Sequence, residues 1–375
     1  MLPTFKNKID LFLTAPSNKP KIIVIYGPTA CGKTGLSVEV AKYIEELEVR
    51  SWKLEEESRT SNLQLRPSNY SPFIISVDAR QVYRHMNIGT GKVTTEEMQG
   101  IPHHMLDVIN PSEPFSVVDF RERVEHLEVW KNFLGTEEKS EMGVRGKSPL
   151  IKGDVTRGQG DLASGKIPPT PFLKGESKSI PIICGGTGLY IDSLIFERSY
   201  PSIEADWKLR DELERFRERE GNDALWEKLH AIDPEYAKIL HPNDRHYIIR
   251  GIEVFEKTGQ SKAKIIDAPK LKYETLFLTP FDGDRATLYE RINNRVRGMF
   301  NTGLIEEVGY IMNTFTSTCP GLKTIGYKEV VDYLEGTLSL EESINLVQQH
   351  SRNYAKRQIT WNKKYDNLNY GFRCI

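Results

Sequence analysis

The feature that most limits what this chain can fold into is an eight-residue run, GPTACGKT, at positions 27–34. It follows KIIVIY, a short β-branched apolar run suited to a buried parallel strand, and it precedes LSVEVAKYIEEL, which carries helical periodicity. Glycines let backbone wrap an anion, and the amides at a helix start point inward at it. Lys33 supplies a point charge to terminal phosphate oxygens, and the Thr34 hydroxyl suits a magnesium ion. Gly27, Pro28, Thr29, Ala30, Cys31, Gly32, Lys33 and Thr34 are therefore expected to cradle a diphosphate or triphosphate. By itself the loop fits an ATPase, a GTPase, a small-molecule kinase or a transferase with a diphosphate leaving group.

Three further strand-like runs follow: FIISVD, IPIICGG and TLFLTP. Strands separated by helical stretches predict an α/β fold, a P-loop NTPase-like parallel sheet flanked by helices. One stretch interrupts that alternation. Residues 202–264 read as three amphipathic helices, an inserted all-helical subdomain, within which Trp207 and Trp226 are expected in the core. The expected organisation is an N-terminal extension at 1–20, a first part of the core at 21–201, the helical subdomain at 202–264, and a second part of the core at 265–375 ending in basic helices. Residues 50–71 and 135–179 read as inserts. The second is rich in Gly, Pro, Lys and Ser, lacks periodic apolar residues, and is expected to be disordered.

The strand ends supply candidate chemistry. Asp78 and Thr187 each follow a strand, on the sheet edge where open α/β folds bind ligands. A carboxylate there serves as magnesium ligand, as general base or as a plain helix cap. The adjacent His103 and His104 point apart in extended chain and read as structural or substrate-lining, not as metal ligands. From Ser343 through Tyr365 no acidic residue occurs, while Arg352, Lys356, Arg357, Lys363 and Lys364 alternate with Tyr354, Trp361 and Tyr365. That pattern suits either an RNA backbone or an ordinary solvated helix face.

Bulk properties exclude several classes. No apolar run is long enough to span a membrane, and the N-terminal apolar patch is too short for a signal peptide. Cys31, Cys184, Cys319 and Cys374 form no short-range pairs, so neither a zinc pattern nor a disulfide framework is indicated, and a reducing cytoplasm is expected. With 51 basic and 52 acidic residues, the net charge of −1 leaves the question of a nucleic-acid partner to local patterning.

Taken together and in order, GPTACGKT, SVDARQVYRHMNIGTGK, IPHHMLDV, FSVVDF, CGGTGLYI, HPNDRHYIIRGIEVF, LYERINNRVRGMFNTGLIEEV, LKTIGYKE and YAKRQITW resemble the tRNA dimethylallyltransferase family, from about Lys21 to Trp361. The resemblance implies transfer of a dimethylallyl group from dimethylallyl diphosphate to the exocyclic N6 amine of the adenosine just 3′ of the anticodon, in tRNAs reading codons that begin with U. It implies Mg2+ as cofactor, with Thr34 as its protein ligand. By position Asp78 is similar to the family's general base, Thr187 to its partner near the acceptor amine, and Arg295 to the arginine on the donor diphosphate. Asp78, Ala79, Arg80, Gln81, Thr187, Arg210, His246, Tyr247, Ile248, Ile249 and Arg250 match places that touch tRNA. The chain departs from the family at His246 and Tyr247, where a Gln-Arg pair is usual, at Cys31 and Ala79, where serine is common, and at Asn362, where phenylalanine is frequent. A monomer is expected. The alternatives are a P-loop small-molecule kinase, a prenyltransferase acting on free adenylate, and an RNA-binding NTPase-like switch without catalysis.

Overall fold

The computed structural model describes residues 3–57, 70–135, 178–197, 206–265 and 270–368. Strands β1 (Lys21–Tyr26), β2 (Tyr70–Ser76), β3 (His103–His104), β4 (Lys178–Gly185) and β5 (Glu274–Leu278) form one parallel sheet in the order β3-β2-β4-β1-β5. Four of the five coincide with the apolar runs in the sequence. β3 was not expected: it is two residues long and polar, and it exists because Ile74 and Ile75 of β2 offer it a parallel edge.

Helices α1 (Pro3–Thr14) and α2 (Lys33–Glu57) precede β2; α3 (Thr95–Met98), α4 (Val117–His126) and α5 (Glu128–Leu134) lie between β2 and β4. After β4 come α6 (Gly188–Ile195), α7 (Trp207–Ile232), α8 (Pro234–Ala237) and α9 (Arg245–Thr258), then β5. The chain closes with α10 (Arg285–Asn301), α11 (Leu304–Phe315), α12 (Lys328–Leu334) and α13 (Leu340–Leu368). Strand alternation places Ile23, Ile25, Ile74 and Ile182 on one face against Phe12 of α1 and Val40 and Ile44 of α2. Val24, Ile75, Ile183 and Phe277 face the other side, against Phe120 of α4, Tyr190 of α6 and Tyr365 of α13.

The helices α7 to α9 have an apolar centre of their own, with Leu213, Leu225, Leu229, Tyr236, Ile248 and Ile252 buried together. α7 is broken at Gly221, whose φ of 93° and ψ of 171° leave the helical region. Of the two tryptophans expected in the core, one is corrected here. Trp226 packs at this centre and donates its indole N–H to the carbonyls of Ala237 and Leu240, but Trp207 is 63% exposed. It stands at the first helical position, just after the Asp206 cap.

The stretch 50–71 is helical as far as Glu57 and enters β2 at Tyr70, with 58–69 outside the described residues. Gly135 closes α5 in a left-handed conformation and Lys178 already belongs to β4. The expectation of disorder between them falls on 136–177, outside the described residues, as does Cys374.

Candidate active site

Three loops meet at the carboxyl edge of the sheet, after β1, β2 and β4. Because β4 lies between β1 and β2, the phosphate loop, Asp78 and the Gly-Gly-Thr turn become neighbours although 51 and 158 positions of sequence separate Gly27 from Asp78 and from Gly185. Thr29, Lys33 and Thr34 of the loop, Asp78 and Gly185 line a cleft open to solvent, together with Arg80, Arg295 and Gln358.

The phosphate loop is shaped by its backbone. Gly27 and Gly32 have φ of 147° and 93°, and Ala30 has 63°. The Lys33 ammonium donates to the Pro28 carbonyl at 2.7 Å, which lays its stem along the loop. Lys33 and Thr34 both line the cleft. On α13, Gln358 is buried and accepts from Thr29 N–H at 2.8 Å while donating to the Gly186 carbonyl at 2.9 Å. It ties the phosphate loop to the Gly-Gly-Thr turn. Sequence reasoning quoted the YAKRQITW motif without singling out this residue. The available signal was an uncharged amide on the buried side of a basic helix.

Asp78 and Thr187 are brought together. The Asp78 carboxylate accepts from Arg80 N–H at 2.9 Å, closing a turn that orients it. Thr187 stands at the N-cap of α6 but makes no cap hydrogen bond. Its hydroxyl instead accepts from Ala79 N–H at 3.1 Å, and its own N–H donates to the Val77 carbonyl at 3.1 Å. Tyr354 shares a hydrogen bond with Thr187, and burial together with the Asp78 charge pushes its phenol up. Arg80 lies over the Tyr354 ring at 5.4 Å and donates to the Ile325 carbonyl at 3.3 Å. Its guanidinium lines the cleft.

The glycines of CGGTG bring the backbone close to what lies above the sheet. What lies there is the protein itself: a Cβ at Gly188 would stand 2.1 Å from the Trp361 ring, and one at Gly186 2.2 Å from the Gln358 amide. The turn is thus locked under α13. Asp192 of α6 adds to the lock, accepting from Lys364 and, at 2.7 Å, from the Tyr365 hydroxyl.

Arg295 reaches the cleft from α10. Its Nη2 lies 3.5 Å from the carbonyls of Thr90 and Gly91. Burial works against its charge, the neighbouring Arg80 adds to that, and Asp78 counters both. Gln81, hydrogen-bonded to the Ser76 hydroxyl at 2.9 Å, donates to the Gly91 carbonyl at 3.1 Å. The loop that carries Gly91 is held from behind by Glu307 of α11. This carboxylate accepts from the N–H groups of Asn87 and Ile88, each at 2.8 Å, from Gly89 at 3.2 Å, and from the Tyr327 hydroxyl at 2.5 Å. Lys33, Arg80 and Arg295 against Asp78 make the cleft positive, as a polyphosphate requires. His103 lines its wall, with Nδ1 set against the Ile101 carbonyl at 2.8 Å. Burial lowers the pKa of both adjacent histidines, which favours neutral rings.

The remaining expected contacts lie elsewhere. Arg210, His246, Tyr247, Ile248, Ile249 and Arg250 belong to α7 and α9. Of these Ile248 and Ile249 are buried in the helical core, while Tyr247 is 51% exposed. The basic face of α13 is also corrected in part. Arg352 donates to Asn293 at 2.6 Å, Lys364 pairs with buried Asp192, and Tyr365 is fully buried; Lys356, Arg357 and Lys363 are the exposed cations.

A P-loop cradle, a strand-end carboxylate and an arginine converging on one cleft define a group-transfer site for a diphosphate or triphosphate substrate. The family model described as IPP transferase matches residues 81–133 and 174–365. Among curated relatives, a tRNA dimethylallyltransferase of Alkaliphilus oremlandii is 35% identical over 354 residues, 94% of this chain and 91% of that protein. One from Bacillus cereus is 36% identical over 347 residues, 92% of this chain and 87% of that protein. The full-length tRNA isopentenylpyrophosphate transferase of Bacillus halodurans superposes with a TM-score of 0.53 at 34% identity, covering 92% and 87% of the two chains. A eukaryotic dimethylallyltransferase acting on tRNA superposes with a TM-score of 0.61 at 25% identity, covering 91% and 69%. The chain belongs to the IPP transferase family, that of the tRNA dimethylallyltransferases.

Proposed function

We propose that this protein transfers the dimethylallyl group of dimethylallyl diphosphate to the N6 amine of the adenosine immediately 3′ of the anticodon, in tRNAs reading codons that begin with U. The observation that carries the reading is the convergence of Lys33, Arg295 and Asp78 on one cleft, with Thr187 hydrogen-bonded to the backbone N–H of Ala79 beside Asp78. The tRNA substrate comes from what the relatives and the structural neighbour are named for.

The chemistry follows from the residues. An adenine amine is a poor nucleophile because its lone pair is delocalised into the ring. Asp78 accepts its proton as the new C–N bond forms, and Thr187, hydrogen-bonded to the backbone beside Asp78, orients the amine. The allylic C–O bond breaks and the electron pair leaves with the diphosphate. Loop amides, Lys33 and Arg295 stabilise that growing negative charge. The allylic carbon tolerates positive charge, which suits a dissociative displacement. The adenine must leave its stack to reach the cleft.

Mg2+ fits the donors present. The Thr34 hydroxyl lines the cleft beside Lys33, and hard oxygen ligands completed by substrate phosphate are what this ion prefers. Bound there, it would neutralise diphosphate charge. Among the described residues no group of three or more His, Cys, Asp and Glu is placed to hold a metal ion. No helix among the described residues is long and apolar enough to cross a membrane, and we place the enzyme in the cytoplasm as a monomer.

The test is filter capture of tRNA after incubation with labelled dimethylallyl diphosphate. Label retained on tRNA, and not on free AMP, supports the reading. Turnover of ATP with a small acceptor and none with the isoprenoid diphosphate favours a P-loop kinase instead.

A further inference from the structure

One helix, α13, backs both halves of the cleft. In its first half Gln348 donates to the Asn293 carbonyl at 3.2 Å and Arg352 to the Asn293 side chain at 2.6 Å. Asn293 belongs to α10, two positions before Arg295. Ala355 is buried with Cys31 of the phosphate loop and with Leu288 and Ile292 of α10. Farther along, Trp361 closes over Gly188, and the Tyr365 hydroxyl donates to the Gly188 carbonyl at 3.1 Å. The helix thus touches the donor side first and the acceptor side next.

Between these two sets of contacts stands Gln358, 6% exposed. Its Oε1 accepts from Thr29 N–H at 2.8 Å, and its Nε2 donates to the Gly186 carbonyl at 2.9 Å. Thr29 lies in the loop that takes the donor diphosphate, and Gly186 directly precedes Thr187, which serves the acceptor amine. The two backbone partners fix the amide's orientation, since an N–H needs the oxygen and a carbonyl needs the nitrogen. A lysine has no acceptor for Thr29, and an ionised glutamate has no donor for Gly186. Either would also add charge to a cleft that already holds Lys33, Asp78, Arg80 and Arg295. The fit on the turn side is close, with a Cβ on Gly186 only 2.2 Å from Nε2.

We propose that Gln358 is a positioning residue for the transfer: it holds the phosphate loop and the Gly-Gly-Thr turn at the spacing that lets the donor's allylic carbon meet the acceptor amine. The donor is held by its diphosphate and the acceptor through Thr187. Reacting atoms must approach to about 3–3.5 Å in line, so the separation of the two holders bears directly on the rate. A side chain that sets this separation acts on the transfer step more than on either affinity. The inference rests on the tRNA reading above.

The experiment measures tRNA prenylation by the full chain and its Gln358→Met and Gln358→Glu variants, each checked for folding by circular dichroism. Methionine keeps the length of the side chain and gives up both hydrogen bonds. Gln358→Met should lower kcat by about 10- to 100-fold, the scale of an ångström-sized misplacement, with the KM for donor and for tRNA each within a few fold. In Gln358→Glu the introduced carboxyl reproduces the amide only when protonated: one oxygen then accepts from Thr29 N–H and the O–H donates to Gly186. Its kcat relative to wild type should therefore rise as pH falls from about 8 to about 5, the range in which a buried carboxyl titrates. Lys33 of α2, Asp78 and Arg80 after β2, His103 of β3, Cys184 of β4 and Arg295 of α10 share the cleft with position 358. They are common to both proteins, so the ratio cancels their titration. A folded Gln358→Met protein with wild-type kcat overturns the positioning role. So does a loss confined to one KM, or a Gln358→Glu ratio that is flat with pH. A wild-type protein that prenylates no tRNA sinks the functional reading and this role with it; one that does, beside an unimpaired Gln358→Met, sinks the role alone.

Discussion

Gly91 and Arg295 meet across 204 positions of sequence: Nη2 of Arg295 lies 3.5 Å from the Gly91 carbonyl oxygen, and a Cβ built on Gly91 would stand 1.5 Å from that same nitrogen. Gly91 also has φ of 55°, in the region glycine favours. The loop therefore fits the guanidinium like a socket without a wall. Gly91→Ala should displace Arg295 from the cleft and imitate Arg295→Ala, raising the donor KM and lowering kcat while the tRNA KM moves little. Steady-state kinetics of both variants check this; a Gly91→Ala enzyme with wild-type donor kinetics would remove the socket from the account.

Asp78→Ala should lower kcat by about 10²–10⁴, the usual loss for a general base, and leave tRNA affinity within a few fold. Lys33→Ala should weaken both donor affinity and transfer rate, since the ammonium serves the diphosphate in ground and transition state. Near-normal single-turnover rates in either variant contradict the role given to that residue.

Glu307 holds Asn87, Ile88, Gly89 and Tyr327 at once. Removing a carboxylate with several donors leaves those donors unpaired, at a cost of about 1–3 kcal/mol each where they stay buried. Glu307→Ala should therefore lower Tm and, through the loop that carries Gly91, raise the donor KM. Tyr327→Phe loses one of the four hydrogen bonds and should show a smaller shift of the same kind. Thermal unfolding and donor kinetics on the pair test whether the loop and the fold respond together.

The pH dependence of the helical region follows from Glu253. Burial alone would raise its pKa, but hydrogen bonds from Arg210, Arg250 and Asp206 N–H outweigh burial and hold it at about 2, below its ordinary 4.5. A depressed carboxylate stabilises the fold above its unfolded pKa and loses that contribution as pH falls through the folded one. Stability should thus decline between about pH 4.5 and pH 2. Glu253→Gln should be less stable than wild type at neutral pH and should lose part of the decline. Tm measured against pH for both proteins gives the comparison; parallel curves would show that this carboxylate carries no acid sensitivity.

The phosphate cradle and the parallel sheet were legible in the residues because both are local. A strand, a glycine loop and a helix start are decided within about a dozen positions, by backbone freedom and by the period of apolar side chains. Asp78 and Thr187 were legible as strand-end residues for the same reason. What the sequence could not show was pairing across distance. β3 exists only because β2 has an edge to offer. Gln358 is a functional brace because α13 crosses the turn after β4. The socket of Arg295 depends on a loop two hundred residues earlier, and that loop depends on Glu307. Trp207 reads as a core residue by type, yet stands in solvent at the start of its helix. Likewise Arg352 and Lys364 read as free cations, and the fold engages them with Asn293 and Asp192. Local chemistry determined which groups this chain carries; long-range packing and hydrogen bonding, which no window of sequence encodes, decided which of them face the cleft, which brace it and which are left exposed.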